Sequence, residues 1–240
     1  MMDADKTKEL EELARDLKSR TGGGALRARI KTYAWTFFVR NSYRLKRLLD
    51  LVSASAALLL LSPIFLITAI AIKLTSPGPV FFAQIRVGRY GRHFRFYKFR
   101  SMYVDAEARK AELMRLNQSA DGVIFKMKND PRITPVGRFI RRSSIDELPQ
   151  LVNVLKGDMS MVGPRPPVPS EVREYTLEDR KRLNVIPGIT CIWQVSGRSD
   201  IPFHEQVRLD KEYIRHTGVW TDIKLLLKTV PAILTGKGAY

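Results

Sequence analysis

The chain has a single cysteine, Cys191. No internal disulfide can form and no cysteine-built zinc site exists, which fits a reducing, cytosol-facing compartment. Histidine is scarce as well: His93, His204 and His216 stand far apart, without ligand spacing. Acids are outnumbered, 24 Asp and Glu against 41 Lys and Arg, for a formal net charge of +17. Such an excess implies an anionic partner: nucleic acid, an acidic membrane surface or a phosphorylated substrate. Met1–Arg20 is polar and charged, so no secretory signal is expected there. There is no internal repeat and no low-complexity tract. The 240 residues suffice for one or two domains with a real core.

Long uncharged runs are also few, and one stands out. Leu51–Ile72 carries no charge and is long enough to span a bilayer. Ser62-Pro63 sits at its middle, where proline removes a helical hydrogen bond and breaks or kinks the helix. Both flanks are basic: Arg44, Lys46 and Arg47 before, Lys73, Arg86 and Arg89 after. The positive-inside rule keeps both ends on the cytoplasmic side, as a re-entrant helix–break–helix would. A proline-kinked span crossing once fits the residues equally well. Upstream, residues 1–30 read as a short exposed helix and a flexible break at Gly22-Gly23-Gly24. Lys31–Arg47 mixes aromatic and basic residues, as interfacial segments do.

Downstream, Val80–Ile85 and Phe94–Phe99 read as a hairpin around Gly88-Arg89-Tyr90-Gly91, with Lys98 near its end. Residues 101–118 read as helix and Asn117–Asp130 as loop. Pro131–Arg142 is a second interfacial candidate. A helix start at Leu148–Leu155 stops at Lys156-Gly157, and Ser170–Arg182 reads as one charged helix. A turn at Pro187-Gly188 precedes the apolar run Ile189–Val195. Gln206–His216 and Val219–Leu234 complete the helices, with Pro231 expected to kink or end the last.

Two adjacent carboxylates, Asp146 and Glu147, stand out in this basic chain. A carboxylate can attack phosphorus, a second can hold a metal ion, and arginines can hold phosphate oxygens. Arg141 and Arg142 precede the pair, Arg165 sits on the proline-clamped loop Gly163–Pro167, and Lys98 ends a strand. Against this stands a plain structural explanation. Ser144-x-x-Glu147 matches a helix capping box, and acids suit a first helical turn.

The ordered blocks carry a resemblance. They are Lys46-Arg47-x-x-Asp50, Ser62-Pro63, Gly78-Pro79-Val80-Phe81-Phe82-x-Gln84, Lys98-Phe99-Arg100-Ser101-Met102, Asp130-Pro131-Arg132-x-Thr134, Asp146-Glu147-Leu148-Pro149-Gln150-Leu151, Asn153–Ser160, Gly163-Pro164-Arg165-Pro166, and Pro187-Gly188-Ile189-Thr190 with Gln194-Val195-x-Gly197-Arg198. From about Arg44 onward the chain resembles the bacterial sugar transferases, the monotopic polyprenyl-phosphate phosphoglycosyl transferases, in their minimal catalytic form. The family pattern usually has glycine where this chain has Cys191.

The resemblance implies an α+β, mainly helical monotopic membrane protein. It would have a re-entrant helix broken at Ser62 and Pro63, a small β-hairpin and several amphipathic interfacial helices. Its parts would be an N-terminal extension (1–40), the membrane helix (41–74) and a catalytic domain (75–240) on the cytoplasmic face of the bacterial inner membrane. It implies transfer of a sugar-1-phosphate from a UDP-sugar to polyprenyl (undecaprenyl) phosphate, with UMP released, as the first membrane step of polysaccharide or glycoconjugate synthesis. Asp146 would be the nucleophile and Glu147 the Mg2+ ligand. Lys98, Arg141, Arg165 and Asp210 would bind substrate. Anionic lipid is an expected partner, a homodimer is allowed, and nucleic acid is not expected. Two rivals remain open on the residues alone: a membrane-tethered nucleic-acid binder, which the charge would suit, and a membrane-surface scaffold whose acid pair only caps a helix.

Overall fold

In the computed structural model the described residues are 25–113, 127 and 129–235, with Glu12, Arg15 and Arg115 besides. Most of the helix and the glycine break expected within residues 1–30, and most of the loop at 117–130, lie outside them. The chain divides into two compact units, Met1–Leu49 and Asp50–Tyr240. Helix α1 (Ala25–Leu60) runs across that division, and in the first unit residues 25–49 are helical. The rest of this description concerns the second unit.

The expected break is present. α1 ends at Leu60 and α2 (Ser62–Thr75) begins with Pro63 in its first turn, where a missing N–H costs nothing. The Leu61 N–H still reaches Ala57 O at 2.9 Å and the Phe65 N–H reaches Leu61 O at 3.0 Å. The two helices bend by 59°. Among the described residues no single helix is long and apolar enough to cross a membrane; only the bent pair has that length and composition. Leu59, Leu60, Leu66, Ile67 and Leu74 lie exposed on it. Arg100 closes the far end, donating to Ser76 O at 2.7 Å and Pro77 O at 2.6 Å. A cation on orphan carbonyls past a helix end is favourable in both hydrogen bonding and dipole.

Strands β1 (Phe81–Val87) and β2 (His93–Phe99) pair antiparallel around the five-residue loop Gly88–Arg92. Next come α3 (Ala106–Leu113), α4 (Pro135–Arg142), a 3-10 turn at Ile145–Glu147 and α5 (Gln150–Lys156). Gly157, at φ 88°, ends α5 in the left-handed conformation that glycine adopts freely. Strands β3 (Ser160–Val162) and β4 (Gly188–Thr190) pair in parallel. Between them lie α6 (Pro169–Arg173), α7 (Leu177–Arg180) and a 3-10 turn at Lys181–Asn184. α8 (Ile192–Ser196), a 3-10 turn at Arg198–Asp200, α9 (Phe203–Arg215) and α10 (Val219–Thr235) complete the unit. The architecture is mainly helical with a small hairpin, as expected.

Small apolar cores hold these pieces. Ala54 of α1 packs with Phe96, Leu151, Val154 and Met159. Ile72 of α2 packs with Phe99 and Ile140, and Phe65, Ile145 and Leu148 join them. Val162, Tyr213 and Leu225 join β3 to α9 and α10. Burying a side chain of this size contributes about 1.5–3 kcal/mol. Polar latches add register. Asp50 Oδ1 accepts from Ser160 Oγ at 3.0 Å and from Met161 N–H at 2.9 Å.

Several expectations need correction. The single helix over Ser170–Arg182 is broken: Thr176 and Asp179 form a capping box that restarts it as α7. Just before, Tyr175 turns inward against Phe203, with ring centroids 5.3 Å apart. The helix expected from residue 101 starts only at Ala106, because Met102 bridges to Ile133 in an extended pairing. The run Ile189–Val195 splits into β4 and α8. Pro231 does not end α10, which runs over Val219–Thr235, within one residue of the expected span.

Candidate active site

Asp146 and Glu147 sit on the 3-10 turn between α4 and α5. The capping-box explanation fails here. Ser144 is left-handed, at φ 56°, and its side chain caps nothing. α5 begins only at Gln150, after Pro149. The turn is fixed by its flanks: Ile145 and Leu148 pack into the α2–β2–α4 core on either side of the two acids. α4 itself is set by Thr134, whose hydroxyl accepts from Gly137 N–H at 2.9 Å with Pro135 in the first turn.

Lys98 reaches the turn from β2. Its Nζ lies 2.7 Å from Glu147 Oε1 and 3.2 Å from Asp146 Oδ2. Asn153 of α5 holds that strand, its amide donating to Arg95 O at 2.6 Å and accepting from Tyr97 N–H at 3.2 Å. The alternating pleat puts Phe96 on the face of Lys98, and the ammonium lies 5.7 Å from that ring.

Arg165 comes from the loop after β3. Gly163 and Gly188 let the two backbones touch: a Cβ on Gly188 would stand 2.0 Å from Gly163 N. Gly163 N–H bonds Thr190 O and Gly188 N–H bonds Pro164 O, each at 2.9 Å. From the other side Val87 N–H bonds Pro167 O at 2.9 Å and Arg86 bonds Pro166 O at 3.0 Å. Arg86 is buried, and desolvation together with nearby Arg165 pushes its guanidinium down to about 10.

These groups face one cleft of about 580 Å³. Lys98, Arg141, Asp146, Glu147, Arg165 and Arg198 all line it. Arg141, Arg165 and Arg198 make no side-chain hydrogen bond or ion pair among the described residues. Ala57 and Leu61, at the helix break, line it too, with Leu226, Val230 and Ile233 of α10. Buried Asp130 and Arg132 pair at 2.7 Å in its wall.

Electrostatics separates the two acids. Burial raises Asp146 above its ordinary value; Lys98 and Arg141 oppose this, and Glu147's charge adds to it. Burial pushes Glu147 the same way, but Lys98, with Arg165 and Arg198, outweighs it and holds that carboxyl below its ordinary value. Neighbouring acids pushed apart in this manner suit different tasks.

Of the six candidates, five meet at the cleft. Asp210 does not line it. It is fully buried behind α8, ion-paired with Arg182, and desolvation raises it to about 6 against the pull of that guanidinium. Arg198 was missed as a site residue, although it stood in a quoted block. Its left-handed backbone, at φ 53°, follows Gly197; a glycine before an arginine is the only signal the sequence offers. Trp193 and Gln194, on the same wall, were missed with it.

The profile of the bacterial sugar transferase family matches residues 41–236. The chain belongs to the bacterial sugar transferase family. It is 49% identical over 211 residues to the galactosyl transferase CpsE of Streptococcus agalactiae, covering 87% of this chain and 46% of that protein. It is 44% identical over 205 residues to the undecaprenyl-phosphate galactose phosphotransferase of Salmonella typhimurium, covering 84% and 43%. It is 42% identical over 205 residues to the UDP-glucose:undecaprenyl-phosphate glucose-1-phosphate transferase of Escherichia coli, covering 82% and 41%. The chain thus spans less than half the length of each of these three relatives.

Proposed function

We propose that this chain transfers a sugar-1-phosphate from a UDP-sugar to polyprenyl phosphate, as the name of the Escherichia coli relative describes for UDP-glucose and undecaprenyl phosphate. The observation that carries the reading is the Lys98-bridged acid pair in a cleft lined by Arg141, Arg165 and Arg198, whose guanidinium groups are unpaired among the described residues. Such a cleft is built for a diphosphate. Asp146 attacks the sugar-proximal phosphorus, forming an O–P bond as the diphosphate P–O bond breaks and UMP leaves. An oxygen of the polyprenyl phosphate then attacks the acyl phosphate, and the Asp146 carboxylate departs. The path is ping-pong. Arg141, Arg165 and Arg198 hold phosphate oxygens, and Lys98 orients both acids.

The acids also fit a magnesium ion. No cluster of three or more His, Cys, Asp or Glu stands together among the described residues, but Mg2+ needs only one or two carboxylates beside substrate phosphates and waters. Glu147 is part-exposed and has its Oε1 on Lys98. Glu147 would hold the ion, which when bound offsets diphosphate charge.

The reading extends to location. The exposed apolar residues of the bent pair suit insertion into one leaflet, with the catalytic unit on the cytoplasmic face and anionic lipid beside its basic surface. The helix break lines the cleft, which supports a reading in which the acids lie near the height of a lipid phosphate. The test is a donor screen with purified protein, undecaprenyl phosphate and Mg2+, following UMP release. Asp146→Asn must abolish both turnover and the phosphosugar-linked protein; wild-type-like turnover in that variant would refute the nucleophile.

A further inference from the structure

We propose that Gln194 is a specificity-determining residue for the nucleotide-sugar donor, and that the Cys191 thiol positions it. This rests on the transferase reading above. Gln194 is half-buried on α8 and lines the same cleft as Asp146 and Glu147. Cys191, the residue before α8, has no exposed surface. Its Sγ donates to Gln194 Oε1 across 3.1 Å.

A glutamine amide has an accepting end and a donating end of nearly the same shape. Untethered, it presents either one. Here the thiol engages Oε1 and so fixes which way the amide is turned, leaving the NH2 as the end that can donate to a ligand in the cleft. The thiol keeps its proton. Burial raises it well above the ordinary cysteine value, and the charge of Asp210 raises it further. Cys191 therefore converts an ambivalent group into a fixed donor, and pre-organisation of this kind strengthens binding by lowering its ordering cost.

The lining of the cleft selects the substrate. Ala57, Leu61, Leu226 and Val230 give it an apolar stretch that offers no hydrogen bond. α8 presents Gln194, and the 3-10 turn that follows it presents Arg198, which feels the charges of Glu147 and Asp146. A polyprenyl phosphate carries acceptors only on its phosphate, where the guanidinium groups of the cleft can hold them. A nucleotide sugar carries many, on base, ribose and hexose. The Gln194 amide thus belongs to the donor half of the ping-pong cycle.

The test is steady-state kinetics with UDP-glucose or UDP-galactose, whichever turns over, and with undecaprenyl phosphate, each varied in turn. Calorimetric binding of UDP accompanies it, and thermal melts verify folding. Cys191→Ala is expected to raise the KM for the nucleotide sugar and weaken UDP binding about 3–10-fold, with kcat within about twofold. Cys191→Ser, which restores a donor, returns both toward wild type. Gln194→Glu removes the donor and adds an anion, for a loss above about 30-fold. Gln194→Leu, at a half-buried position, gives an intermediate loss even where Cys191→Ala folds poorly. Unchanged UDP affinity and KM in Cys191→Ala and Gln194→Leu overturn the proposal. A rise confined to the KM for undecaprenyl phosphate overturns it too and gives Gln194 to the lipid. A wild-type protein that binds no UDP and turns over no nucleotide sugar removes the transferase reading first, so the two failures are distinct.

Discussion

Two three-residue 3-10 turns face each other in chemistry across the cleft, Ile145–Glu147 and Arg198–Asp200. Each has a non-glycine residue in the left-handed conformation beside it or in it, Ser144 at φ 56° and Arg198 at φ 53°. The first turn presents two acids, the second a base. The first is braced by apolar residues at both ends and by Lys98 through two short contacts. The second follows Gly197, and its arginine makes no direct ion pair among the described residues. The braced turn suits a group that must meet a reacting atom repeatedly in one geometry. The looser one suits a group that closes on a substrate bringing its own charge.

That contrast can be broken in order of severity. Asp146→Asn should cost at least ~10³-fold in turnover, since the attacking oxygen is lost; UMP release measures it. Lys98→Met should cost about 10²-fold and change the pH profile as well. Without the ammonium both carboxyls rise, so Asp146 is protonated up to a higher pH. The acid limb of the rate profile should move upward, and a limb that stays put would show that Lys98 does not act on the attacking acid. Arg198→Asn removes the charge while keeping a residue that tolerates the left-handed backbone. It should lower kcat/KM for the donor about 10-fold, chiefly through KM. Ser144→Gly should leave stability within about 1 kcal/mol, because relieved strain offsets added chain entropy, whereas Ser144→Val should cost about 1–2 kcal/mol. Thermal unfolding separates the two.

The comparison also explains what the sequence could show. Asp146-Glu147 was legible because two acids in a basic chain are conspicuous, and their guanidinium neighbours lay nearby or in a proline-clamped loop. The competing capping box could not be dismissed from spacing; only the left-handed Ser144 and the late start of α5 dismiss it. The helix break was legible because Pro63 acts locally. Arg198 and Gln194 were not singled out, because their roles come from a cleft that α8 enters only after β3 and β4 have paired across Gly163 and Gly188. Asp210 was expected to bind substrate through the resemblance alone, yet it is fully buried against Arg182 and does not line the cleft. The break in the Ser170–Arg182 helix has a similar origin: helical propensity favoured continuity, and the packing of Tyr175 on Phe203 overrode it.

The latch at Asp50 has a meaning in time as well as in space. Its two partners, Ser160 and Met161, lie 110 and 111 residues further along the chain. Closing so long a loop is slow relative to forming a helix, and synthesis proceeds from the N-terminus. The end of α1 is therefore made and coiled well before the strand that seats it exists. Its carboxylate must wait for these two partners until β3 arrives, whereas Ala54 beside it can already pack on Phe96 of β2 and Leu151 of α5.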